Sequence, residues 1–158
     1  MKTGFSPGAV KGASPVYLDA SALAKVYLKE KDSDALESFL LGRTDLMVSD
    51  LGITEVVSAI ARKIREARLT RESAHKVYAA IRKDFDEGVY LRADMARTVH
   101  RRAEHLLLSA PENAALRAAD ALHLALALEA GARGIVTYDE KLAAAAVNTA
   151  HLEVHPAP

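Results

Sequence analysis

The strongest hydrophobic pattern in the chain runs from Leu116 to Gly131, LRAADALHLALALEAG. Its leucines and alanines leave almost no polar face, and a helix of that kind is buried rather than surface-lying. Arg117, Asp120 and His123 interrupt it, recurring every third residue near its start. A carboxylate in apolar surroundings is costly unless a cation or hydrogen-bond donors compensate it. Asp120 therefore needs a partner, and Arg117 at i−3, His123 at i+3 and a bound cation all qualify.

The rest of the chain alternates short β-rich runs with helical patterns. Val16–Asp19 reads as a first strand, with Ser21 where a helix N-cap would sit. Residues 21–30 and 32–42 then read as two helices, the second ended by Gly42. Leu46–Ser49 is a second strand candidate, and Ser49 or Asp50 caps a helix running to about residue 67. Thr70 opens the next helix, which Gly88 closes, and residues 89–91 (VYL) form a third strand. Asp94 is placed as the cap of a helix running to Ser109. After the polar break at residues 110–113 and the Leu116–Gly131 helix come a strand at Gly134–Thr137, a short helix and a last strand at residues 152–155. Strands alternating with helices predict an α/β domain with a parallel sheet covered on both faces. Ligands of such folds sit outside the carboxyl ends of the strands.

Length and composition are compatible with one domain: 158 residues, 50% hydrophobic and 27% charged. Residues 1–14 carry three glycines and a proline and read as a disordered leader or a misannotated start, which leaves 15–158 as the folded domain. No apolar run reaches the length of a bilayer span, and the absence of cysteine suits a reducing cytoplasm. Lys plus Arg equal Asp plus Glu, so any nucleic-acid binding must come from a local patch. One patch stands out. Between residues 62 and 83, eight Lys and Arg stand against two Glu, starting with Arg62, Lys63, Arg65 and Arg68. That stretch is either a phosphate-binding stripe or two ordinary solvated helix faces.

Candidate chemistry comes from four acids. Asp19 and Asp139 follow the first and fourth strands, on the edge where α/β ligands bind. Glu55 and Asp120 lie near the starts of helices on otherwise core-facing segments. Acids gathered in this way repel, and raised pKa values or bound cations are the two ways to relieve the repulsion. Hard oxygen ligands suit Mg²⁺ or Mn²⁺, which activate water and clamp phosphodiester oxygens. Taken singly, an Asp after a strand is also an ordinary N-cap and a Glu early in a helix an ordinary dipole partner. His123 reads as a partly buried, hydrogen-bonded histidine.

The segments around these acids, LDASALAKVYLKE, SDLGITEVVSAIAR, LRAADALHLALAL and IVTYDEKL, occur in an order that resembles the PIN-domain nucleases, most closely the VapC-type toxins of toxin–antitoxin pairs. The resemblance spans about residues 15–156. It implies a three-layer α/β/α sandwich and an acidic pocket of Asp19, Glu55, Asp120 and Asp139 holding Mg²⁺ or Mn²⁺. It places Ser21 and Thr137 as hydroxyls beside the first and last acids. The implied activity is metal-dependent endoribonuclease cleavage, by a dimeric toxin silenced by an antitoxin protein. Leu142 stands where the family often has an aromatic, a packing change only. Two other readings remain. A phosphoacceptor signalling domain would want adjacent acids after the first strand, and here Asp19 is followed by Ala20. A catalytically silent module that only binds RNA or protein fits poorly with an intact acidic set.

Overall fold

The computed structural model describes residues 14–112 and 114–155. The expected leader, residues 1–14, lies outside the described residues except for Ser14. Twelve elements follow in chain order: β1 (Val16–Leu18), α1 (Ala20–Tyr27), α2 (Ser33–Leu40), β2 (Leu46–Val48), α3 (Asp50–Arg65), α4 (Arg71–Asp86), β3 (Leu91–Arg92), α5 (Arg97–Ser109), α6 (Ala118–Glu129), β4 (Gly134–Val136), α7 (Glu140–Asn148) and β5 (Glu153–His155). All five strands are parallel, in the order β3-β2-β1-β4-β5.

The period of two along a strand splits the core into two layers. Val16 and Leu18 of β1, Leu46 and Val48 of β2 and Val136 of β4 pack with apolar residues of α1 to α4. Tyr17, Met47 and Ile135, the intervening positions, pack with α5, α6 and α7. The central strands are buried at every position, as a sheet covered on both faces requires. The architecture is the three-layer α/β/α sandwich expected from the sequence.

Helix α6 is the spine of the second layer, with Ala121, His123, Leu124, Ala125, Leu126 and Ala127 all buried. Gly131, at φ 77°, takes the left-handed conformation that ends it. Three local expectations change. Asp19, rather than Ser21, caps α1, because its carboxylate accepts the Ala22 N–H. Ala96, rather than Asp94, stands at the start of α5. The third strand pairs at Leu91–Arg92 instead of 89–91, since Tyr90 turns into the core and its hydroxyl lies 3.0 Å from that of Tyr27.

The strand order reverses between β1 and β4. The chain steps outward from β1 to β2 and β3, then returns to place β4 on β1's other side. The carboxyl ends of those two strands border the crevice where this class of sheet binds ligands.

Candidate active site

Asp19 follows β1 at that crevice and is 3% exposed. Its Oδ1 accepts the Ala22 N–H at 2.9 Å and the Ser21 hydroxyl at 2.7 Å. Its Oδ2 accepts the Thr137 hydroxyl at 2.7 Å and also lies 2.9 Å from the Ser21 oxygen. Burial pushes the Asp19 carboxyl above the usual range, and these hydrogen bonds oppose that shift without cancelling it. The hydroxyls are held in turn: Ser21 accepts the Tyr138 N–H at 2.8 Å and Thr137 accepts the Asp139 N–H at 3.0 Å. Ser21 and Thr137 therefore lock the loop after β4 onto the end of β1.

Asp139 is exposed and caps α7, its Oδ1 accepting the Lys141 and Leu142 N–H groups. Asp120 is half-buried at the start of α6 and accepts the backbone N–H of Arg117 at 3.1 Å. Among the described residues its carboxylate makes no ion pair, so the Arg117 guanidinium does not neutralise it. Asp120 and Asp139 line one open cleft of about 420 Å³, together with Arg117, Tyr138, Glu140 and Lys141.

Glu55, half-buried on α3, lines a neighbouring groove of about 370 Å³ with Ser58, Ala59, Arg62 and Arg65. Its Oε2 lies 2.6 Å from Nε2 of His123, one turn beyond Asp120 on α6. His123 is 2% exposed, more deeply buried than its sequence context predicted. Its Nδ1 is 2.7 Å from the Tyr17 hydroxyl, which is 2.7 Å from the Ser49 hydroxyl. Ser49 caps α3 by accepting the Gly52 N–H. Sequence reasoning saw Tyr17 only as strand and Ser49 only as a strand end and candidate helix cap. The available signal was chemical: a tyrosine between two inward strand residues carries a hydroxyl that must find a partner.

The sequence-predicted residues thus fall into linked groups. Direct hydrogen bonds join Asp19, Ser21 and Thr137, and the Thr137 oxygen ties in Asp139. Asp120 shares the cleft with Asp139, and Glu55 is tied to Asp120's helix through His123. Among the described residues, no three His, Asp or Glu side chains stand close enough to cage a metal ion. Mg²⁺ keeps several waters and is bound by one or two carboxylates plus substrate oxygens, so an all-protein cage is not what it requires. Hard carboxylate and hydroxyl oxygens beside an open cleft fit such an ion. Of the expected RNA contacts, Arg62 and Arg65 line the Glu55 groove, whereas Lys63 is held at 2.5 Å by Glu30 and Arg68 pairs with Glu66.

Residues 16–148 match the PIN domain family, and the chain belongs to it. It is similar to ribonuclease VapC35 of Mycobacterium tuberculosis, with 34% identity over 135 residues, covering 83% of this chain and 89% of the relative. Ribonuclease VapC49 of the same organism is 32% identical over 131 residues, covering 80% and 85%. Among solved structures, M. tuberculosis VapC20, described as a sarcin-ricin loop cleaving toxin, superposes with a TM-score of 0.64 at 18% identity, covering 82% of this chain and 94% of that one. PAE2754 from Pyrobaculum aerophilum gives 0.58 at 20% identity, covering 96% and 92%. These two show a shared fold. No helix among the described residues is long and apolar enough to cross a membrane.

Proposed function

We propose that this protein is a metal-dependent endoribonuclease, acting in the cytoplasm as the toxin of a toxin–antitoxin pair. The observation that carries the reading is the carboxylate set at the β1–β4 crevice: buried Asp19 held by three donors, beside a cleft lined by Asp120 and Asp139. The relatives named ribonuclease VapC support the substrate class.

Asp19 and Asp120 are the residues assigned to hold Mg²⁺ or Mn²⁺, with Glu55 and Asp139 completing the acidic set. Such an ion, when bound, supplies a water of lowered pKa and neutralises charge on phosphate oxygens. The chain's own part is to keep these carboxylates in place. Ser21 and Thr137 fix the Asp19 carboxylate between them, so its orientation is set before RNA arrives. Arg62 and Arg65, in the groove that Glu55 ends, hold phosphates flanking the scissile bond. By the same likeness, a second copy of the chain and an antitoxin protein are the partners.

The test is cleavage of cellular RNA by purified protein with Mg²⁺ or Mn²⁺, beside Asp19→Asn and Asp120→Ala. Loss of cleavage in both variants and in EDTA is expected. Equal activity in EDTA overturns the metal dependence, and equal activity in both variants overturns the site. For the toxin assignment, growth arrest on expression must be relieved by the product of an adjacent short reading frame.

A further inference from the structure

The Glu55–His123–Tyr17–Ser49 series joins α3, α6, β1 and the cap of α3 by hydrogen bonds of 2.6, 2.7 and 2.7 Å. The three residues behind Glu55 are almost completely buried. Its direction follows from what each atom is able to do. A carboxylate only accepts, so the proton shared with Glu55 sits on Nε2 of His123. In the neutral ring, Nδ1 is then an acceptor and takes the Tyr17 O–H, and the Tyr17 oxygen takes the Ser49 O–H. Ser49's own oxygen accepts the Gly52 N–H, so every hydroxyl and ring nitrogen in the series is used. A doubly protonated ring would force Tyr17 to donate to Ser49, leaving the Ser49 O–H with no acceptor among the described residues. Burial also holds the Tyr17 phenol protonated, since it pushes that group's pKa upward.

We infer that His123 is a positioning residue for Glu55: it donates from Nε2 to Oε2, with its tautomer set by the acceptor-only carboxylate and accommodated by the Tyr17 hydroxyl, and leaves Oε1 for the groove that Glu55 lines. The side-chain hydrogen bond found for Glu55 among the described residues uses Oε2. A flexible glutamate on a half-exposed helix face would otherwise sample several rotamers. Anchored through a buried ring, one oxygen is fixed and the other is kept for solvent, metal-bound water or substrate. The role of Glu55 in cleavage rests on the ribonuclease reading above, whereas the tautomer does not.

The test has two arms. Imidazole ¹⁵N shifts of His123, assigned by the resonance lost in His123→Gln, are read in metal-free protein without RNA. The Nε2–H tautomer is expected in the wild type and in Tyr17→Phe, and a mixture of tautomers in Glu55→Ala, where the acceptor-only partner is gone. In the kinetic arm, His123→Ala lowers kcat by about 10- to 100-fold at unchanged KM. His123→Gln, which keeps a donor near the Nε2 position, recovers part of that loss. Against a Glu55→Ala background, His123→Ala adds nothing further, because its effect passes through the carboxylate. A protonated Nδ1 in the neutral wild-type ring overturns the proposal whatever the cleavage assay gives. Equal losses with and without Glu55 overturn it too, and assign His123 to the core alone. A wild type with the expected tautomer but no RNA cleavage overturns the ribonuclease reading and leaves the anchoring intact.

Discussion

The Thr137 hydroxyl donates to the Asp19 carboxylate at 2.7 Å across the β1–β4 seam, linking residues 118 positions apart in the chain. The same oxygen accepts the Asp139 N–H, so one side chain sets the first acid and the loop bearing the last. Thr137→Val keeps the shape and removes both bonds. Urea unfolding at pH 7 in metal-free buffer should then show a loss of roughly 1–3 kcal/mol, with Thr137→Ser near wild type. A valine variant as stable as the wild type would remove Thr137 from this role.

Asp120→Asn separates chemistry from structure. The contact of its carboxylate, the Arg117 N–H, is one an asparagine oxygen also accepts. Stability should fall by less than about 1 kcal/mol, the helix-dipole contribution of the lost charge, while RNA cleavage disappears. A larger destabilisation in metal-free buffer would return Asp120 to a structural ion-pair role.

The basic stripe divides into groove-lining and paired cations. Arg62→Ala and Arg65→Ala should each weaken RNA binding and flatten the dependence of log K on log salt by about 0.7 for a single-stranded phosphate contact. Lys63→Ala should leave that slope unchanged, because Glu30 already holds its ammonium. The Lys63 change should instead cost under about 1 kcal/mol of stability, as exposed pairs do. Salt-titrated fluorescence anisotropy decides between them.

Buried Tyr17 and Tyr90 and half-buried Tyr27 set the alkaline limit. Burial pushes the Tyr90 phenol up to about 12, and those of Tyr17 and Tyr27 are raised as well, again chiefly by burial. A group whose folded pKa is raised contributes stability below its unfolded pKa and loses it as pH climbs toward the folded one. The contribution of these phenols should be flat below pH ~10 and fall above it, by up to roughly 3 kcal/mol for Tyr90 alone. Denaturant midpoints between pH 9 and 12 measure this, and Tyr90→Phe should shallow the fall. A level profile would show the phenols to be solvated.

The alternation of strands and helices, the parallel sheet and the burial of the Leu116–Gly131 helix were all legible in the chain. So were the positions of Asp19, Glu55, Asp120 and Asp139 near strand or helix ends. These features depend on hydrophobic period, on glycines and caps and on where a carboxylate interrupts an apolar run, all of which act within a few residues. Errors were confined to the same short range: Asp19 took the cap expected of Ser21, because α1 begins at Ala20, directly after the strand, and places Ser21 inside the helix.

What each polar group meets was decided only by the fold. Asp120 turns out to accept a backbone N–H rather than a guanidinium, and Lys63 turns out to be spent on Glu30. His123, bland as a sequence position, becomes the link between Glu55 and Tyr17 because β1, α3 and α6 converge there. Local pattern determines which elements form and which face is apolar, through burial of surface summed over many residues. Hydrogen-bond partnership needs two atoms within about 3 Å in the right direction, and between residues 68 or 106 positions apart only the packed layers bring that about.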